Sequence, residues 1–150
     1  MVSPDKIEGI FRSLDAYVKI LDALRQLPKA ELLADAARLG GAKYYLQVAI
    51  ECCVDIANHL IARQRWRAPK SHADSFAILA ENGVISAEFL LTTRQMVGMR
   101  NRLVHLYWEV DAETVYETLQ NNLPDFDRFK AAMYAYLRQS GFSPADSDMA

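Results

Sequence analysis

Residues 42–66 read AKYYLQVAIECCVDIANHLIARQRW, a stretch without proline or glycine in which apolar side chains recur on nearly every side of a helix. A helix that is apolar almost all round is typical of a protein's centre, so this segment is predicted to be the central helix of the fold. One polar stripe interrupts it, at mostly i, i+4 spacing: Gln47, Glu51, Asp55, Asn58 and His59. This stripe is either the helix's one solvated face or the wall of a cleft.

Proline, glycine and capping residues on both sides of this segment mark where further helices should begin and end. The predicted helices span about 4–26, 29–39, 42–66, 71–82, 86–107 and 111–139, the last interrupted near Pro124. Gly40-Gly41 is expected to separate the second helix from the third. No segment has the pattern of a strand. The fold class is therefore all-α, an up-down helical bundle, with one domain over 1–140 and a flexible tail over 141–150.

Composition sets broad limits on location and partners. The chain has 150 residues, a net charge of −2 and a pI of about 5.9, so its overall charge gives no support for a nucleic-acid partner. The adjacent Cys52 and Cys53 are expected to be buried thiols, which suits a reducing cytosol. No membrane span and no signal peptide are apparent, and a cytoplasmic location is expected.

The segment richest in chemistry is RNRLVHLYW at residues 100–108. Arg100 offers a permanent charge and a planar fork for a phosphate, and His105 can move a proton near neutral pH. Together they suit phosphodiester chemistry, in which a proton leaves one oxygen while negative charge grows on phosphorus. The alternative interpretation is a helix end that carries cations near its negative dipole and a capping histidine.

Helical geometry constrains how this pair can work. Arg100 and His105 are five residues apart, so on a straight helix they diverge by about 140°. They can meet one phosphate if the helix ends or bends here, or if two copies of the chain face each other across a two-fold axis. We favour the two-fold arrangement, in which each chain supplies its own pair.

The chain resembles HepT-type toxins of the HEPN superfamily over about residues 1–139. The matching pieces are ECCVDIANHL at 51–60, FAIL at 76–79, NGVI at 82–85, MVGM at 96–99 and the 100–108 segment with its pattern R-N-x-x-x-H-x-Y. The resemblance implies an all-helical HEPN bundle that dimerises and cleaves RNA without a metal or cofactor, at a cleft between protomers. It implies that Arg100 and His105 are catalytic and that Asn101 assists them.

The resemblance also implies a partner. The antitoxin of such a toxin is a minimal, MntA-type nucleotidyltransferase, in a type VII-like toxin–antitoxin system. It can transfer AMP to the motif tyrosine, here Tyr107, which would place bulk and negative charge beside the cleft.

Other residues are candidates for supporting roles in the cleft or in RNA binding. Glu51, Asp55 and His59 are candidates to line the cleft and orient Arg100 and His105. Asp55 and His59 have metal-ligand spacing, but no third ligand is evident, so no metal is expected. The remaining RNA-binding candidates are Arg102 and, in the run 63–70, Arg63, Arg65, Trp66 and Arg67. That run lies at a predicted helix C-terminus, where cations are favoured without any ligand. His72 is expected to be exposed.

Two rival interpretations remain beside the ribonuclease toxin. In the first, the chain is a non-catalytic HEPN module that binds a nucleotidyltransferase or a nucleotide. In the second, it is a structural helical dimer with no ligand. Mutating Arg100 separates them, because only the structural interpretation predicts no loss of function.

Overall fold

The computed structural model describes residues 4–141, and the helices within that range confirm the all-helical prediction. The helices are α1 (Pro4–Arg25), α2 (Lys29–Leu33), α3 (Ala36–Gln64), α4 (His72–Glu81), α5 (Ala87–His105), α6 (Ala112–Asn122) and α7 (Pro124–Gln139). One 3₁₀ turn, Tyr107–Glu109, joins α5 to α6. No strand occurs among these residues. The predicted tail lies, apart from Gly141, outside the described residues.

The predicted break at Gly40-Gly41 is wrong. Helix α3 begins four residues earlier, at Ala36, and runs through both glycines. Asp35 caps it, because its side-chain oxygen accepts a hydrogen bond from the backbone N–H of Arg38 at 3.1 Å. Each glycine costs about 1 kcal/mol in a helix interior. The long buried face of α3 offsets that cost, so packing overrides the local signal.

The other helix boundaries follow local chemistry. The side-chain oxygens of Ser71, Ser86 and Asp111 each accept a hydrogen bond from the backbone N–H three residues later, at 2.8–3.0 Å. These caps begin α4, α5 and α6 where the sequence predicted. Pro124 occupies the first turn of α7 and separates it from α6, since proline is tolerated there.

Helix α3 is central, as predicted. It packs against α1, α4 and α5, and also contacts α2 and α6. Eleven of its residues are buried, among them Leu46, Ile56 and Leu60. The core extends to α4 and α7 through Phe76 and Phe129, whose rings meet edge to face at 5.8 Å.

Both cysteines lie in this core as free thiols. Cys53 is fully buried and Cys52 is 8% exposed. Burial raises the pKa of Cys52 to about 11 and that of Cys53 well above its ordinary value. Thiols held in the neutral form behave as small hydrophobic side chains rather than nucleophiles.

Within residues 4–141, no helix combines the length and the hydropathy that crossing a bilayer requires.

Candidate active site

The 100–108 segment spans the end of α5 and the turn that follows. Arg100, Asn101 and Arg102 lie in the last two turns of α5, which ends at His105 itself. The backbone N–H of Leu106 donates to the carbonyl of Arg102 at 2.8 Å and completes the final turn. Because α5 stays helical through His105, the helix end does not bring Arg100 and His105 together. Their side chains leave the axis about 140° apart.

Arg100 is held in place by the polar stripe of α3. Its Nε donates to Oε1 of Glu51 at 3.1 Å, and its Nη1 donates to Oδ1 of Asn101 at 3.2 Å. Gln47 Nε2 donates to the same Glu51 oxygen at 3.2 Å. The side chains of Arg100 and Glu51 are only 19% and 32% exposed, so the ion pair is partly shielded from water. At Glu51 the stripe therefore contacts the motif instead of only facing solvent, and Gln47 bonds to Glu51.

An open cleft of about 250 Å³ lies where α3, α4 and α5 meet. The described residues that line it are Glu51, Val54, Asp55, His72 and Arg100. His72 was expected to be exposed, but it is half-buried at the start of α4. Spacing along the chain gave no signal for this placement, because it depends on how α4 folds back against α3. The cleft thus gathers an arginine, an imidazole and two carboxylates from three helices.

The electrostatics of this cleft centre on Asp55. The carboxylate is exposed at the rim yet crowded by protein atoms, and this partial desolvation raises its pKa. The electrostatic interaction of Asp55 with His59 opposes that rise in pKa, the interaction with Glu51 adds to it, and the interaction with His72 opposes it. Asp55 is therefore within electrostatic reach of His72 on the neighbouring helix.

His59 behaves differently from the other cleft-support candidates. It is half-buried one turn beyond Asp55, and it is not among the described residues that line the cleft. Its Nδ1 is buried and has no hydrogen-bond partner among residues 4–141. In the same part of the chain, no group of three or more His, Cys, Asp or Glu side chains is arranged to hold a metal ion.

Two members of the basic run at the end of α3, Trp66 and Arg67, contact other parts of the fold. The guanidinium of Arg67 donates to both carboxylate oxygens of Asp74 at 2.8 and 2.9 Å. It also reaches Glu81 at 2.6 Å, and these contacts raise the pKa of Arg67. In return they lower the pKa of Asp74 to about 2. Trp66 packs against the core, edge-on to the ring of Tyr136 at 5.9 Å. These contacts favour a structural role for Trp66 and Arg67.

The turn that follows α5 exposes large apolar side chains to solvent. Tyr107 and Trp108 are 61% and 66% exposed, and their rings meet edge to face at 5.5 Å. Leu106 is 38% exposed. The backbone of the turn is anchored by side chains, since Lys43 Nζ donates to the Tyr107 carbonyl and Arg102 Nη2 to the Glu109 carbonyl, each at 3.4 Å. The hydroxyl-bearing ring of Tyr107 is thus accessible beside the motif.

Comparison with known proteins gives three kinds of match. The family model described as ribonuclease HepT-like matches residues 13–133. The mRNA nuclease HepT of Shewanella oneidensis is 40% identical over 84 residues, which cover 56% of this chain and 63% of that protein. The tRNA nuclease HepT of Aphanizomenon flos-aquae is 20% identical over 136 residues, covering 91% of this chain and 92% of that one.

A solved structure extends the likeness to three dimensions. The tri-AMPylated HEPN toxin of Shewanella oneidensis, in complex with an MNT antitoxin, superposes with a TM-score of 0.79 at 29% identity. The match covers 86% of this chain and 96% of that toxin chain. The segment with Arg100, Asn101 and His105 lies inside the range matched by the family model.

Proposed function

This chain belongs to the ribonuclease HepT-like family, and on that premise we propose that it is a metal-independent endoribonuclease, the toxin of a toxin–antitoxin pair. The observation that carries the proposal is the placement of Arg100 at the wall of an open cleft, held there by Glu51 at 3.1 Å. A fixed guanidinium at an accessible surface is what a phosphate-binding nuclease needs. Its relatives carry the names mRNA nuclease and tRNA nuclease, which supports RNA as the substrate class.

The proposed reaction uses the 2′-hydroxyl of RNA as its own nucleophile. His105 takes or gives a proton at the ribose oxygens, and Arg100 stabilises the charge that grows on the phosphorane. Asn101 accepts a hydrogen bond from Arg100 and assists in orienting it. An internal nucleophile removes the need for a metal-bound water or a covalent enzyme intermediate. DNA lacks the hydroxyl and should not be cut.

We propose that the working form is a homodimer. Within one protomer Arg100 and His105 point about 140° apart, so a second copy is the simplest way to present both groups to one phosphate. Exposed apolar side chains support this: Leu106, Tyr107 and Trp108 follow α5 within the motif segment, and Leu91, more than two turns earlier on α5, is 58% exposed. Side chains of this kind commonly mark interaction surfaces.

Cleavage of total RNA by the purified protein in EDTA tests the proposed function. We expect fragments whose 5′ portions end in a 2′,3′-cyclic phosphate, because the 2′-oxygen attacks the adjacent phosphorus. Fragments that end only in 3′-hydroxyl would contradict the mechanism. Loss of cleavage in EDTA that is restored by a divalent cation would contradict its independence from metals.

Glu51 is expected to position Arg100 rather than to react. In Glu51→Ala the guanidinium loses its partner, and we expect kcat/KM to fall by about 10-fold to 100-fold because a misplaced group stabilises the transition state poorly. In Glu51→Gln an amide oxygen still accepts the hydrogen bond from Arg100, so the loss should be several-fold smaller. Equal losses in the two variants, with unchanged melting temperatures, would argue against a positioning role.

Tyr107 is proposed as the site where a nucleotidyltransferase antitoxin attaches AMP. The solved relative is an AMPylated toxin bound to an MNT antitoxin, and Tyr107 is 61% exposed in this chain. After incubation with an MNT-type antitoxin and ATP, we expect peptides containing Tyr107 to gain adenylyl mass and RNA cleavage to be lost. Tyr107→Phe should stay unmodified and keep cutting RNA. Modification that persists undiminished in this variant would place the site elsewhere.

A non-catalytic partner module is the second candidate, and the net charge of −2 favours it. In that case the protein would bind the nucleotidyltransferase through the same surface and cut no RNA. The EDTA assay on protein verified by mass to be unmodified separates the two functions.

A further inference from the structure

The cleft beside Arg100 also contains the imidazole of His72, which has no role in the reaction proposed above. The chain has three histidines. His105 belongs to the motif, and His59, whose Nδ1 is buried, does not line the cleft. His72 lines the cleft directly, together with Glu51, Asp55 and Arg100.

Cleavage of RNA by its 2′-hydroxyl requires two proton transfers at different oxygens. A bond forms between the 2′-oxygen and phosphorus, and the bond between phosphorus and the 5′-oxygen breaks. One group accepts the proton from the 2′-hydroxyl, and another supplies a proton to the departing 5′-oxygen, which is otherwise a poor leaving group. Because the attacking 2′-oxygen and the departing 5′-oxygen lie on opposite sides of phosphorus, two separate groups serve the reaction better than one.

We propose that His72 is the general acid that protonates the 5′-oxygen, while His105 takes the proton from the 2′-hydroxyl. This assignment rests on the proposed ribonuclease function and adds a residue outside the motif. After the step, His105 carries one proton more and His72 one fewer. Exchange with water restores both, so no oxidant, reductant or co-reactant is needed.

The walls of the cleft suit this role. The cleft is open and has a volume of about 250 Å³, so it is accessible to a phosphate group. Arg100 provides a positive charge for that phosphate. Asp55 lines the same cleft as His72.

The charges that face His72 come from each helix around the cleft. Helix α3 contributes Glu51 and Asp55, with His59 one turn further, and α5 contributes Arg100. On α4 itself, Asp74 is already paired with Arg67 at 2.8 Å and lies outside the set lining the cleft.

A change of leaving group tests the proposal. His72→Ala and His72→Gln would be assayed on an RNA oligonucleotide with one mapped cut site, and on the same RNA with sulfur replacing the bridging 5′-oxygen. A thiolate leaves without being protonated. We therefore expect kcat/KM to fall by about 10²-fold to 10⁴-fold on the oxygen substrate, yet to stay within a few-fold of wild type on the sulfur substrate. His105→Ala should be impaired on both.

The pH profile gives a second readout. Wild type should lose activity at high pH as the general acid deprotonates, and both His72 variants should lack that alkaline limb. His72→Gln keeps a polar side chain of similar length, so its melting temperature shows whether a defect comes from misfolding.

Each outcome is decisive. If wild type cuts and the His72 variants cut equally well on the oxygen substrate, the assignment is wrong and the ribonuclease function stands. If the variants lose activity equally on both substrates, His72 positions the substrate and is not the acid. If wild type itself cuts neither RNA, the proposed function fails, and this assignment fails with it.

Discussion

His105→Ala is expected to lower kcat/KM for RNA cleavage by about 10²-fold to 10⁴-fold, the usual contribution of a general acid or base. Arg100→Ala should cost about 10²-fold to 10³-fold, because the charge that grows on phosphorus loses its fixed partner. Neither change should unfold the protein. His105 is exposed, and the Arg100 side chain is still 19% exposed at the cleft wall. Initial rates on a labelled RNA, with melting temperatures for each variant, measure both effects.

The matched control is Arg94→Ala, which removes an exposed arginine from the same helix, six residues before Arg100. It should cut RNA like wild type. A loss in Arg94→Ala as large as that in Arg100→Ala would mean that any positive charge on α5 serves, and the specific role of Arg100 would be refuted.

Mixing the two inactive variants tests the two-fold arrangement. A mixed dimer carries an intact His105 on one protomer and an intact Arg100 on its partner. Partial recovery of cleavage after subunit exchange is expected if both protomers serve one phosphate. An active species that is strictly monomeric at the assay concentration would refute the shared site.

Phe76→Ala is expected to lower the free energy of unfolding by about 3–5 kcal/mol, the largest stability effect that we predict for one side chain. Phe76 is fully buried on α4, and its ring packs edge to face against Phe129 on α7 at 5.8 Å. Truncation removes apolar contacts and leaves a cavity between helices that are distant in sequence. Urea unfolding followed by circular dichroism measures the loss.

Phe76→Leu serves as the matched variant for this prediction. It keeps most of the apolar volume, so its loss of stability should be clearly smaller than that of Phe76→Ala. A loss below about 1 kcal/mol in Phe76→Ala would show that the core between α4 and α7 is not packed as described.

Much of the fold could be predicted from short stretches of sequence. The caps at Ser71, Ser86 and Asp111 form where predicted, because a cap depends only on side chains and backbone within one turn. The apolar side chains of residues 42–66 identified the central helix, because a helix that is apolar on nearly every side has to be largely enclosed. The resemblance to HepT-type toxins of the HEPN superfamily, carried by the 100–108 segment, agrees with the family and structural matches.

The side chains that contact or surround the 100–108 segment were harder to predict from the sequence. The polar stripe on α3 suggested cleft residues, and the structure joins Glu51 to Arg100 across 49 positions of sequence. Asp55 lies on the cleft as well, but His59 does not line it. Side chains on one stripe reach different depths of the bundle. Membership of the stripe alone therefore did not show which of them line the cleft.

What the sequence determined by itself is the set of features that act within a turn or two: the helical class, the caps, the buried centre and the order of chemical groups at residues 100–108. Tertiary structure alone decided that α3 runs through Gly40-Gly41, that Trp66 packs inward while Trp108 stays exposed, and that His72 joins Arg100 at a cleft. The physical reason is the same in each case. Local signals differ by about 1 kcal/mol, whereas the burial of a whole helix face contributes several times more and depends on residues far apart in the chain.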